Sequence, residues 1–302
     1  MNEPIKYISK VEIKNLWGRY DIVWNLDPSV NVLSGINGSG KSTVLECVSY
    51  ITFAKALPED FAKKIESVKA IFNNGKAFIL NRDNSTTSKR LIPDLVNVEI
   101  LNSLKVSIVS TFDNILNQNA SPNEKVITEL DKDIFNLQKQ YLDYQLNIGK
   151  KAFEIVSKNG KNTNEEVLEI KKQHNRFLEI IDLLFADTDK KVDRENNELM
   201  LLSGKDKLTP YQLSSGEKQM LVILLTVLVQ DNKPSILFMD EPEISLHLDW
   251  QRKLIQYIKE LNPNVQIILA THSPGIILEG WRDKVSEMSD LITLDRQAKL
   301  KK

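Results

Sequence analysis

The stretch "VNVLSGINGSGKSTVLECVSY", residues 30–50, decides how this chain is read. Val30, Val32 and Leu33 mark a buried strand, and from Lys41 onward the apolar positions recur at helical spacing. Between them, Gly35-Ile36-Asn37-Gly38-Ser39-Gly40-Lys41-Ser42 fits G-x4-G-K-[ST] in full, with the strand before and the helix after that the motif needs. Glycines let backbone N–H groups turn inward around phosphate oxygens. The start of the next helix adds the positive end of its dipole. Lys41 is then placed to reach β- and γ-phosphates, Ser42 to ligate Mg2+, and Ser39, Gly40 and Thr43 to complete the cradle. A chance glycine turn is the competing reading, and the correct flanking elements count against it.

Working outward, "SILFMDEP" (235–242) is a buried strand from which Asp240 and Glu241 emerge. Beside a phosphate loop, Asp240 suits the Mg2+ shell and Glu241 suits the orientation or deprotonation of an attacking water. Two acids there could otherwise only cap the next helix. "VQIILATHS" (265–273) ends on His272, where an imidazole could bond a γ-phosphate and sense its loss; a lone histidine at a strand end is otherwise structural. "LSSGEKQML" (213–221) has two compatible readings. Ser214 three residues before Glu217 is a capping box, and the same helix start is an anion-binding end.

Strands alternating with helices around these motifs predict a mainly parallel sheet with ligands beyond its carboxyl edge. The first 25 residues alternate as antiparallel strands. Pro58 predicts a helix over "EDFAKKIESVKAIF" (59–72), with further strands at 76–80 and about 96–110, split by the polar loop "NRDNSTTSKR". Ser121-Pro122-Asn123-Glu124 is a capping box, followed by Ile127, Leu130, Ile134, Leu137, Tyr141, Tyr144 and Ile148 in alternating steps of three and four. Thr163 to Glu166 is a second box, followed by Val167, Ile170, His174, Phe177, Ile181 and Leu184. The two seams predict an antiparallel helical hairpin within an insertion of about 113–205, packed in a lobe or projecting as an arm. The expected architecture is one α/β domain over 1–302.

Bulk composition narrows the classes. Hydrophobic residues are 41% and charged residues 27% of the 302, ordinary for a globular protein. A net charge of −1 supplies no global field for nucleic acid. The single cysteine, Cys47, excludes an internal disulfide framework and fits a reducing cytoplasm. "MNEPIKYISK" has no apolar signal core, and "MLVILLTVLV" (220–229) is too short for the roughly 20 residues of a membrane span, so no membrane is expected. Three histidines and one cysteine make no metal-ligand spacing, and no Ser-His-Asp signature is present.

The four motifs in this order resemble an ABC-type ATPase head, with "LSSGE" paralleling the LSGGQ signature. The wording of "VEIKNLWGRYD", "LSSGEKQ", "DEPEISLH" and "ATHSP" is similar to the ATPase domains of the OLD (overcoming lysogenization defect) family and, more distantly, to RecF and SMC-type heads. The resemblance covers residues 5–53 and 208–282. It implies ATP and Mg2+ as cofactors, with Asn37 and Gly38 in the phosphate loop. It further implies Ser214 and Gly216 acting in trans on a γ-phosphate, and Ser245 near a dimer contact. The adenine side would lie near Lys14, Asn15 or Trp17. No Q-loop glutamine is recognisable, Gln118 being a poor match. OLD nucleases carry a TOPRIM domain, which is not expected in this chain. The expectation is therefore an ATP-hydrolysing homodimer with a separate effector, a nuclease among the candidates, in antiphage defence or DNA maintenance.

Two other classes compete. An ABC transporter subunit would meet a membrane partner through the missing Q-loop. A DNA-binding clamp would use Lys55, Lys63, Lys64, Lys69, Lys76, Arg82, Lys89 and Arg90, which are otherwise a solvated basic face.

Overall fold

The computed structural model describes residues 3–53, 63–82, 91–93, 104–109, 114, 116, 126–159 and 164–296. They fall into two units. The first comprises Met1–Ile108, Pro234–Pro242 and Asn264–Lys302, the second Val109–Lys233 and Glu243–Pro263.

In the first unit, two-residue alternation builds an antiparallel sheet. Along β1 (Ile8–Leu16), Ile8, Val11 and Ile13 are buried and the charged positions between them face outward. A register shift after Ile13, with Asn15 at φ 56, resets the parity so that Leu16 also turns inward. β1 lies between β2 (Tyr20–Asn25) and β4 (Ser67–Phe72). β5 (Ala77–Arg82) and β6 (Leu91–Pro93) extend the sheet on one side, and β14 (Ile292–Asp295) closes the other. Every neighbouring pair is antiparallel.

The helix expected to run through residues 67–72 is therefore a strand. Val68, Ala70 and Phe72 are buried and Ser67, Lys69 and Ile71 are not, a period of two that pairing with β1 and β5 enforces. The expected strand at 76–80 runs on to Arg82, and of the expected 96–110 strand only 104–109 is described, with Lys105–Val109 as β7. The start of the expected helix (59–62), the polar loop at 83–90 and residues 96–103 lie outside the described residues.

The second sheet of this unit has the order β13-β3-β12-β11-β7, from β3 (Val30–Ser34), β11 (Ser235–Asp240), β12 (Val265–Ala270) and β13 (Val285–Glu287) with β7. The β13/β3, β3/β12 and β12/β11 pairs are parallel. β12 is buried at all six positions, as a strand covered on both faces must be. Helix α1 (Lys41–Thr52) lays Val44, Leu45, Val48 and Ile51 against it. The two sheets share one core, with Trp24, Phe72 and Phe78 beside Ile236, Phe238 and Ile268. Fully buried Gln266 joins them: its amide accepts from Ile8 N at 2.9 Å and donates to the carbonyls of Ile8 and Asp27 at 2.8 and 2.9 Å. Leaving such a group unpaired would cost roughly 1–3 kcal/mol, so its bonds fix one register.

The second unit is mostly helical. In α2 (Glu129–Asn159), Leu130, Ile134, Leu137, Tyr141, Tyr144 and Ile148 are all buried. Ile127 precedes the helix and is 37% exposed. The capping box expected at 121–124 lies outside the described residues, and so does Thr163. Asp131 closes the start of α2 instead, its Oδ2 accepting from Ile127 N and Thr128 N at 3.1 Å each. The seam of α3 (Asn164–Phe185) buries Phe177, Ile181 and Leu184. Tyr141 OH bonds His174 Nε2 at 2.7 Å across the antiparallel hairpin. Beyond Ile148 the seam ends, and Phe153 and Val156 are 74% and 54% exposed.

A short turn, Ala186–Thr188, leads into β8 (Lys190–Val192), which forms a three-stranded antiparallel sheet with β9 (Leu201–Ser203) and β10 (Asp206–Leu208). Helix α4 (Ser215–Leu228) is buried from Glu217 onward, which its apolar circumference requires. It packs on α2, α3 and amphipathic α5 (Leu248–Leu261). At roughly 1.5–3 kcal/mol per large buried side chain, this helix is the main apolar anchor of the unit.

Candidate functional site

The residues singled out in the sequence divide between the two units. In the first, the phosphate loop runs from Gly35 to the start of α1. Gly38 and Gly40 sit at φ 77 and φ 103, backbone that side chains with a Cβ rarely adopt. A Cβ on Gly40 would lie 1.9 Å from the Trp17 indole, so the ring forms a wall directly behind the loop. No side chain caps α1 and its first turn carries no acid. Its leading N–H groups therefore keep the anion-binding character of an open helix start. Asn37, Gly38 and Ser42 are exposed, Thr43 is half-buried, and the buried Ser39 Oγ has no hydrogen-bond partner.

Lys41 is 4% exposed. Its Nζ donates to the carbonyls of Gly35 and Ile36 at 3.2 and 3.4 Å and stands 2.5 Å from His272 Nε2. The same Nε2 lies 3.2 Å from Glu241 Oε1. One ring nitrogen cannot accept from an ammonium and donate to a carboxylate at once. His272 is thus a two-way contact: an unprotonated Nε2 accepts a hydrogen bond from Lys41 Nζ, and a protonated Nε2 donates to Glu241 Oε1 instead.

The backbone sets this convergence. β11 and β12 run parallel and in register to Asp240 and Ala270. Glu241 N then donates to Ala270 O at 2.7 Å, and Thr271 N to Leu33 O at 3.1 Å. Glu241 itself is held at φ 48, a left-handed conformation that a glutamate adopts only when its surroundings impose it. α1 packs against β11. Burial and the neighbouring Asp240 charge raise the pKa of Glu46, one turn beyond Ser42.

In the second unit, Ser214 caps α4 in a reciprocal box. Its N and Oγ donate to Glu217 Oε2 at 2.9 and 3.0 Å, and Glu217 N donates back to Oγ at 3.4 Å. Gly216 is required by proximity: a Cβ there would lie 2.3 Å from the carbonyl oxygen of Ser245. Ser245, at φ 78, is therefore in direct contact with the signature. Helix α5 begins at Leu248, after the left-handed Ser245.

The basic cluster is less free than its sequence suggests. Lys69 lies 3.9 Å from Glu12, and Arg82 donates to the carbonyls of Lys63 and Ile65. Lys55, Lys89 and Arg90 lie outside the described residues, as does Gln118.

A family model described as "AAA domain, putative AbiEii toxin, Type IV TA system" matches residues 30–279. The chain belongs to this family of AAA ATPase domains. The AAA domain is 25% identical over 150 residues to the Retron Vc95 probable ATPase of Vibrio cholerae, covering 45% of this chain and 29% of that protein. It is 28% identical over 184 residues to the DNA replication and repair protein RecF of Clostridium perfringens, covering 54% of this chain and 49% of that protein. The chain thus spans less than half the length of these curated relatives. A crystal structure of an SMC head bound to the C-winged helix domain of ScpA superimposes with a TM-score of 0.56 at 19% identity, over 98% of this chain and all of that one. The fold is accordingly that of an SMC/ABC-type ATPase head. No helix among the described residues is long and apolar enough to cross a membrane.

Sequence reasoning passed over three residues of this AAA domain: Glu46, legible as the i+4 neighbour of Ser42 on α1, and Thr188 and Lys190, which hold Glu217 and carry no motif. Trp17, named above for the adenine side, has its ring against the phosphate loop at Gly40. The donor set fits a magnesium–nucleoside triphosphate: open helix amides, a buried ammonium, the unpartnered Ser39 hydroxyl, an exposed serine at the helix start and a strand-end aspartate.

Proposed function

We propose that this chain binds and hydrolyses ATP in the cytoplasm, as a switch that pairs head to tail with a second copy and acts through a separate effector. The two units serve as one ATPase head with a helical insertion. The observation that carries the reading is the meeting of Lys41, His272 and Glu241 at the carboxyl edge of the parallel sheet. Lys41 leaves His272 for the β- and γ-phosphate oxygens. Nε2 of His272 is then released to bond the γ-phosphate or to face Glu241, which orients the attacking water. Ser42 and Asp240 hold Mg2+, which when bound neutralises charge on the phosphate oxygens. Asn37, Gly38, Ser39, Gly40 and Thr43 line the phosphates. Ser214 and Gly216 approach the γ-phosphate from the second copy, so ATP stabilises the pair and hydrolysis releases it. Kinship with a retron ATPase and RecF supports a role in antiphage defence or DNA maintenance.

Glu241→Gln tests the chemistry. ATP binding persists, turnover falls by about 10²–10⁴-fold, and the dimer accumulates on a sizing column. Mixing Lys41→Ala with Ser214→Arg tests the composite site. Each variant alone is inactive, but in an equal mixture half of all dimers are heterodimers, each with one intact site, which restores about a quarter of wild-type turnover. A mixture as inactive as its parents would overturn the head-to-tail arrangement.

A further inference from the structure

Glu217 poses an electrostatic problem for a signature of this kind. It stands three residues from the cap, is 3% exposed, and places a carboxylate inside the helix start assigned above to a phosphate. An uncompensated anion there would repel the triphosphate and hold the Ser214 donors for itself. The structure supplies the compensation from elsewhere in the unit. Lys190 Nζ and Thr188 Oγ1 each donate to Glu217 Oε1 at 2.9 Å, while Ser214 uses Oε2. Four donors engage the carboxylate, which is about its full capacity. Burial pushes the Glu217 pKa up, but the bonds from Lys190, Ser214 and Thr188 outweigh it and hold it below the ordinary carboxylate range. The group therefore stays ionised and depends on its cation.

Thr188 and Lys190 occupy the exit of α3, with Asp189 at φ 50 turning the chain between them. At the entry of α2, Asp131 Oδ1 accepts from Lys218 Nζ at 2.8 Å, a second pair with both side chains largely buried. The two legs of the hairpin thus grip two consecutive signature residues of opposite charge.

We infer that Lys190 is a positioning residue of the signature: it neutralises Glu217 so that the Ser214 donors can be surrendered to a phosphate, and it ties that release to the base of the helical hairpin. This rests on the trans role proposed for Ser214. A plain structural staple would need the ion pair itself, whereas this role needs only the charge on Glu217 to be cancelled.

The full-length chain is tested as Lys190→Met, Lys190→Arg, Glu217→Gln and Lys190→Met/Glu217→Gln. Lys190→Met keeps the affinity for a fluorescent ATP analogue within about twofold but loses turnover and ATP-driven dimerisation by about tenfold or more. Lys190→Arg keeps them. The double variant lacks the ion pair yet recovers turnover to within about threefold of wild type. Full activity in Lys190→Met, or a double variant as impaired as Lys190→Met, overturns the inference. Should Lys190→Met fail to fold, the folded double variant decides by the same criterion. Normal turnover in Ser214→Arg would sink the parent reading; an inactive Ser214→Arg beside a fully active Lys190→Met sinks this inference alone.

Discussion

Replacing Gly40 by alanine separates two costs that the phosphate loop imposes at one atom. The backbone at Gly40 has φ 103, where an alanine carries about 1–3 kcal/mol of strain. The new Cβ also falls 1.9 Å from the nearest atom of the Trp17 ring and 2.8 and 2.9 Å from the next two. Over-filling of this kind costs about 1–3 kcal/mol more, because the indole must shift as a rigid plate. The total, roughly 2–6 kcal/mol, corresponds to a loss of roughly 4–24 °C in thermal midpoint for a unit of this size. Trp17→Ala removes the ring and so removes the second cost but not the first. A double-mutant cycle by thermal unfolding, read alongside ATP-analogue affinity, should therefore show coupling of about 1–3 kcal/mol, the double variant being less damaged than the sum of its parents. Gly40→Ala should also weaken the analogue, since either the loop or the ring must move. An additive cycle, or a Gly40→Ala protein that melts within a degree of wild type, would refute the claim that Trp17 backs the loop.

At Gly216, alanine meets the carbonyl of Ser245 at 2.3 Å without any left-handed strain of its own. Melting should fall by roughly 2–12 °C, while turnover drops about tenfold, and unchanged turnover would separate the two loops functionally. Burial, and to a lesser degree Lys171, push the His174 pKa below its ordinary value of 6.5. The folded hairpin then keeps His174 neutral where the unfolded chain takes a proton. Its contribution is whole above about pH 6.5 and is lost as pH falls through the folded value. Wild type should lose more thermal stability than His174→Gln between pH 7.5 and 5.5, and equal losses would contradict this.

How much could be read in the sequence followed from what each residue signals locally. The phosphate loop, the paired acids and the strand-end histidine sit on uninterrupted apolar strands, and β11 and β12 leave few alternatives. The hairpin seams announced themselves by spacing, since each burying position is a large apolar or aromatic side chain. Residues 67–72 misled because "IESVKAIF" satisfies helical spacing as well as alternation, and only pairing with β1 and β5 selects the strand. Trp17 behind Gly40 and Lys190 on Glu217 were invisible for a different reason. Each joins positions distant in the chain through a contact that no local pattern encodes.

The same distinction bears on the two readings of Ser214. A serine cap is usually measured by the bond from the N3 amide to its oxygen, and here that bond is 3.4 Å, near the limit of a useful one. The shorter contacts run the other way, with Ser214 N and Oγ both donating to Glu217 Oε2 at 2.9 and 3.0 Å. The cap is thus chiefly two donors held by one anionic oxygen. A phosphate oxygen asks for the same two donors. If Ser214 works in trans as proposed, Glu217 Oε2 is the stand-in that keeps them oriented until a triphosphate arrives. The strength of that hold is set by the share of the Glu217 charge that Lys190 and Thr188 have already taken.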